Sequence, residues 1–130
     1  MLKTRAITSG LAVLSLTTFA CGGSGGTQAP SPQPTNPNVI TIGADGIATP
    51  KELTVAPGAR VLFVNNDARR HDMTSDPHPE HDDCPALNQV GVLLNGQNRE
   101  TGNFITVRTC SFHDHENPDN ANVKGRIIVR

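Results

Sequence analysis

Two stretches near the carboxyl end decide the fold: Thr109-Cys110-Ser111-Phe112-His113-Asp114-His115-Glu116, and after it Gly125-Arg126-Ile127-Ile128-Val129. The second stretch is typical of a closing β-strand, and the first continues a β-patterned run that we expect to form a strand from Asn103 to Cys110. At the end of such a strand, Cys110 and His113 can turn their side chains toward one point. A thiolate and an imidazole that converge are a pair of metal ligands. The sequence therefore predicts a metal site presented by β-structure.

A third ligand for this site comes from His71, which follows the strand-like run Arg60–Asp67. The chain has five histidines, and all of them lie between His71 and His115. Scattered surface histidines would not cluster in this way. Two imidazoles, one thiolate and a weak fourth ligand form the donor set that suits a copper electron-transfer centre.

An ordered series of sequence words resembles the cupredoxin family. These words are Thr49–Val61, Asn65-Asn66-Asp67 leading to His71, Leu94–Gln97, Cys110-x-x-His113, and Gly125-x-Ile127-x-Val129. The resemblance runs from about Val39 to Arg130, and it implies an all-β, Greek-key β-sandwich with one copper ion at one end. It also implies that His71, Cys110 and His113 are the equatorial ligands of a site that cycles between Cu(II) and Cu(I). The function implied is that of a one-electron carrier without enzymatic activity.

The fourth ligand departs from the family pattern, because Val123 stands where cupredoxins commonly carry methionine. Glu116, His115 or a backbone carbonyl could take that position. A carboxylate or an imidazole would favour Cu(II) more than a thioether does. The alternative is that Glu116 and His115 are solvated loop residues.

A long polar loop between His71 and Asn88 carries three prolines, two further histidines (His78 and His81) and Cys84. In an oxidising compartment Cys84 and Cys110 could form a disulfide, which would remove the thiolate. The site would then be a histidine cluster drawn from His71, His78, His81, His113 and His115, better suited to binding Cu(II) or Zn(II) than to electron transfer. The chain would be a module that binds or handles copper without redox duty, or a structural domain without a metal. In a further alternative both sulfurs bind copper. We expect both thiols to be free, and the roles of His78 and His81 stay open.

The amino-terminal residues indicate export and a membrane tether. Residues 1–20 have a basic start, a short apolar segment and small residues at the end, as in a signal peptide. Cys21 follows a stretch that resembles a bacterial lipobox, so we expect it to be lipidated, and the Gly/Ser/Pro-rich residues 21–38 form a tether. The cupredoxin-like domain then occupies residues 39–130. This organisation predicts a lipid-anchored protein of the cell envelope, in the periplasm or on the outer surface.

Composition and charge narrow the classes of partner. Removal of residues 1–20 takes away Lys3 and Arg5, which leaves nine basic against twelve acidic residues and a net charge of −3. A mildly acidic chain lacks the basic surface that nucleic-acid binding requires. We expect a monomer whose partners are redox proteins or copper donors and acceptors.

Overall fold

The structure is a computed structural model that describes residues 37–130, and within them the chain forms nine β-strands and two short 3₁₀ turns. The strands are β1 (Val39–Ile42), β2 (Ala48–Thr49), β3 (Glu52–Val55), β4 (Leu62–Asn65), β5 (His71–Ser75), β6 (Gly91–Leu93), β7 (Asn98–Glu100), β8 (Arg108–Asp114) and β9 (Gly125–Val129). The turns span Leu87–Gln89 and Ala121–Val123. The predicted signal peptide and lipidated cysteine, and nearly all of the predicted tether, lie outside the described residues.

The strands form two mixed sheets, which confirms the predicted all-β sandwich. One sheet has the order β2-β1-β4-β7 and the other the order β3-β9-β8-β5-β6. The pairs β1/β4 and β3/β9 are parallel, and the remaining pairs are antiparallel. In the part of the chain from residue 37 onward, no helix is long and apolar enough to span a membrane.

The core between the sheets is mainly aliphatic. Ile40 and Ile42 of β1 and Ile127 of β9 are fully buried, because alternate residues of a half-buried strand face the core. One aromatic pair crosses the core: the rings of Phe63 (β4) and Phe112 (β8) meet edge to face, with centroids 5.3 Å apart. This pair joins the sheet of β4 to the sheet that carries the histidines.

Strand β8 differs from the expected strand in both of its bounds. It begins at Arg108 rather than Asn103, and it continues beyond Cys110 to Asp114. Its inner face carries Cys110 and Phe112, which belong to the buried core. Because side chains alternate along a strand, His113 lies on the opposite, outer face, beside Thr74 of β5. Cys110 and His113 therefore point to opposite sides of the sheet.

The loop of residues 76–86 starts on this outer face and returns to the core at Cys84. A disulfide joins Cys84 to Cys110, with Cα atoms 5.8 Å apart. Asn88 connects the loop to β5 through two hydrogen bonds. Its side-chain amide donates to the His81 carbonyl, 2.6 Å away, and its amide oxygen accepts from the backbone N–H of Ser75. The loop is thus attached to the sheet both covalently and by hydrogen bonds.

Candidate metal centre

Three histidines converge where this loop covers the outer face of β8. His78 and His81 come from the loop and His113 comes from β8, and one ring nitrogen of each lies within 4.8 Å of the others. Three imidazole nitrogens at such separations can bind a single ion. We call these three residues the histidine cluster.

His113 forms the buried floor of the cluster, since its side chain is 1% exposed. Its Nδ1 lies 2.6 Å from Oδ1 of Asp76 and donates to that carboxylate. The other nitrogen, Nε2, is buried and has no hydrogen-bond partner among the described residues. An unpaired buried polar atom is destabilising, and a metal ion would supply the missing partner.

The surroundings of His113 favour the neutral ring that a metal requires. Burial lowers the pKa of His113 and outweighs the hydrogen bond and the charge of Asp76, which act to raise it. With the proton on Nδ1 and directed at Asp76, the lone pair of Nε2 faces the cluster. A carboxylate that orients a ligating histidine in this way also makes the ring a stronger donor.

His81 is oriented by the backbone of β5. Its Nδ1 donates to the carbonyl of Ser75, 2.8 Å away, so Nε2 carries the lone pair of the neutral ring. His81 has a φ of +55°, an uncommon value for a residue other than glycine. Asn88 and Ser75 both donate to its carbonyl and help to hold this conformation. Uncommon backbone conformations that are held so firmly are frequent at functional sites.

His115 stands at the exposed edge of the cluster. Its Nδ1 lies 2.8 Å from Nε2 of His81 and donates to it. The ring centroid of His115 is 5.0 Å from that of exposed His78 and 4.9 Å from that of His81. His115 therefore contacts two members of the cluster.

His71, the buried ligand implied by the resemblance, lies apart from the cluster on the inner face. Its Nδ1 is 2.7 Å from Oδ2 of Asp114, and its Nε2 is 2.9 Å from Oδ2 of Asp67. Both ring nitrogens therefore already have carboxylate partners. The structure does not bring His71 together with His113.

Cys110 differs most from the expectation, because its sulfur is bonded to Cys84. The prediction that both thiols are free is wrong, and the alternative in which both sulfurs bind copper fails with it. A disulfide sulfur lacks the charge of a thiolate, which is the form that binds metals. The inner-face position of Cys110 separates it further from His113.

The remaining candidates are also placed apart. Glu116 forms an ion pair with Arg70 and is not part of the cluster. Val123 is fully buried in the core, which leaves no ligand at the usual methionine position. Of the five ligands predicted from the sequence, only His113 belongs to the cluster, and His115 lies beside its other two members. His78 and His81 entered only the alternative of a histidine cluster that accompanies a Cys84–Cys110 disulfide, and the structure has that disulfide.

The donor set decides which metals fit. Imidazole nitrogens without a thiolate suit Cu(II), Zn(II) or Ni(II). A copper–thiolate electron-transfer centre does not fit, since the only cysteines among residues 37–130 are bonded to each other.

Comparisons with known proteins support the fold. The sequence matches no family model and no curated protein. Among solved structures, a purple cupredoxin from Nitrosopumilus maritimus aligns with a TM-score of 0.55 and 19% identity over 72% of this chain and 99% of that chain. Oxidised plastocyanin from Dryopteris crassirhizoma aligns with a TM-score of 0.55 and 20% identity over 71% and 99% of the two chains. A reduced mutant amicyanin gives a TM-score of 0.58 and 18% identity over 76% and 87%. The chain therefore has a cupredoxin-like fold, and that fold carries a histidine cluster that could bind a metal.

Proposed function

We propose that this protein binds one copper ion as Cu(II) and holds or delivers it without enzymatic activity. The ligands are His78, His81 and His113, with His115 as the fourth. The observation that carries the proposal is the buried and unpaired Nε2 of His113, a member of a cluster of three imidazoles. Copper is favoured over other divalent metals because Cu(II) binds nitrogen donors most tightly in the first transition series.

One-electron transfer, the first function implied by the resemblance, is less well supported. It depends on a thiolate from Cys110, and Cys110 is in a disulfide. A set of nitrogen donors favours Cu(II), so an all-histidine site is better suited to holding copper than to cycling it. The partners we propose are accordingly proteins that donate copper to this chain or accept it.

The test is a Cu(II) titration with a competing chelator, comparing the wild type with His78→Ala and with Glu80→Ala. Both positions are exposed on the same loop, but only His78 belongs to the cluster. We expect one Cu(II) per chain and a loss of affinity of at least about tenfold for His78→Ala, since even partners of metal ligands contribute about 10–100-fold. Glu80→Ala should bind like the wild type. An intense visible charge-transfer band, or equal binding by the two variants, would refute the histidine site.

We also propose that the protein acts outside the cytoplasmic membrane, anchored by a lipid on Cys21. A disulfide is compatible with that location, because such bonds persist in oxidising compartments. The intact mass of the protein recovered from membranes should show a chain that begins at a diacylated Cys21. Cys21→Ser should release the protein into the soluble fraction, and an unmodified wild-type N-terminus would contradict the anchor.

A further inference from the structure

The disulfide links the two chain segments that carry the histidine cluster. Cys84 follows His81 by three residues, and Cys110 precedes His113 by three residues. The bond therefore ties the loop that carries His78 and His81 to the strand that carries His113. Any change in this bond alters how firmly the three nitrogens are held together.

A cavity that none of the histidines lines lies against the same bond. It has a volume of about 300 Å³, and both cysteines line it together with Pro85, Phe104 and Arg108. Ile105 stands at the cavity with 78% of its surface exposed. A small thiol can enter such a space. The charge of Arg108 is paired there with Asp83, 3.3 Å away, which lines the same cavity.

We propose that this cavity is a thiol-exchange site, and that reduction of the Cys84–Cys110 disulfide by an external dithiol weakens metal binding at the histidine cluster. In the exchange one sulfur of the dithiol attacks a sulfur of the disulfide and forms a mixed disulfide. Its second sulfur then closes the dithiol into its own disulfide. Two electrons and two protons pass from the dithiol to Cys84 and Cys110, which become free thiols.

The effect of disulfide reduction on metal affinity follows from the entropy of the loop and from the direction of the Cys110 side chain. Without the bond, the loop explores more conformations. Metal binding must then order the loop, and this entropic cost lowers the affinity. The new thiol of Cys110 does not replace a lost ligand, because it lies on the inner face of β8. Asn88 still holds the His81 carbonyl, so affinity is reduced and not abolished.

The inference depends on the proposed metal site, and the experiment separates the two. Zn(II) serves as the probe because it undergoes no redox reaction with thiols. The purified protein is treated with dithiothreitol in native buffer, alkylated with iodoacetamide and desalted; a control portion receives iodoacetamide alone. Zn(II) affinity is then measured by chelator competition for both portions and for the double variant Cys84→Ser, Cys110→Ser, with circular dichroism to verify the fold.

We expect the disulfide to react without denaturant, and the reduced protein and the double variant to bind Zn(II) about tenfold or more weakly than the control. The double variant makes the test independent of any bulk added by alkylation. If the control binds no Zn(II), the metal site and the coupling are both wrong. If control, reduced protein and variant bind equally, or if reduction requires denaturant, the metal site stands and the inference is overturned.

Discussion

His71 is a residue of a type that often binds metals, but its contacts here are structural. Its two nitrogens lie within hydrogen-bond distance of Asp67 and Asp114, 2.9 Å and 2.7 Å away. Asp67 is further paired with Arg69, and Asp114 also accepts the backbone N–H groups of Asp72 and Glu116. This buried ionic network joins the start of β5 to the end of β8.

The network predicts that His71→Ala destabilises the protein without removing the metal. The substitution leaves two buried carboxylates without their shared hydrogen-bond partner, and removing the partner of a buried polar group costs about 1–3 kcal/mol, or more where the group is charged. Urea unfolding of the metal-free protein measures the loss, and Cu(II) titration at a temperature where the variant is folded measures binding.

The matched comparison is His113→Ala, for which we expect loss of Cu(II) binding because a ligand of the cluster is removed. Its stability should also fall, because the substitution removes the hydrogen bond from Nδ1 to Asp76 and a buried ring. If His71→Ala abolished Cu(II) binding while stability was unchanged, His71 would be a ligand after all, as the resemblance implied.

At the scale of elements, the pairing of β8 with β9 depends on a glycine. Gly125 lies opposite Phe112 in the antiparallel register. A Cβ added at Gly125 would overlap the ring of Phe112 and the backbone carbonyl of Lys51. Only glycine therefore allows β9 to approach this close to β8.

We predict that Gly125→Ala lowers the free energy of unfolding by about 1–3 kcal/mol, the range expected when an extra carbon is forced into a packed core. Because Phe112 and His113 are neighbours in β8, a shift of the Phe112 ring should also weaken metal binding slightly. Urea unfolding is the measurement. Lys124→Ala, at the adjacent exposed position, is the control and should stay within about 0.5 kcal/mol of the wild type. Equal stability of both variants would mean that β9 can move away from β8 at little cost.

For the molecule as a whole, stability should depend on pH through two buried groups. Burial holds the pKa of His113 below its ordinary 6.5. For Asp67, burial acts to raise the pKa, but hydrogen bonds from His71 and Arg69 lower it more strongly and leave it below the ordinary 3.8. In both cases the unfolded chain takes up a proton at a higher pH than the folded protein does.

The unfolded state therefore gains protons first as the pH falls, and stability falls with it. We predict that the metal-free protein is most stable above pH 6.5 and loses stability below that value as unfolded chains are protonated at His113. A further loss should begin below pH 3.8, where the contribution of Asp67 disappears as the pH approaches its folded pKa. Urea midpoints measured from pH 8 to pH 3 test this, and a midpoint that rises on acidification would contradict it.

Several features of the protein could be predicted from the sequence because they depend on local patterns. Alternating apolar residues in Val39–Ile42 and Gly125–Val129 indicate strands that are buried on one face. Glycine and proline between such runs indicate turns, and together these patterns indicate an all-β chain, while the resemblance to the cupredoxins implied the sandwich. The grouping of all histidines between His71 and His115 likewise indicated that one region carries the chemistry.

The composition of the site was decided only by the tertiary structure. Because side chains alternate with a period of two, the continuation of β8 past Cys110 to Asp114 places His113 on the face away from Cys110. That continuation depends on pairing with β5, where Ser75 lies opposite Phe112 and Thr74 opposite His113. The sequence of β8 does not by itself show which distant strand it pairs with, or how far that pairing extends.

The partners of Cys84 and His71 were undetermined for the same reason. A disulfide needs two Cα atoms at a suitable separation, and nothing between residues 84 and 110 shows that the loop returns to the core. His71 lies four residues after Asp67 and far along the chain from Asp114, and only the folded sheet brings both carboxylates to its ring. The sequence by itself determined the β-strands and the histidine-rich region, and its resemblance to the cupredoxins implied the sandwich. Long-range strand pairing decided which histidines meet and that Cys110 does not lie with them.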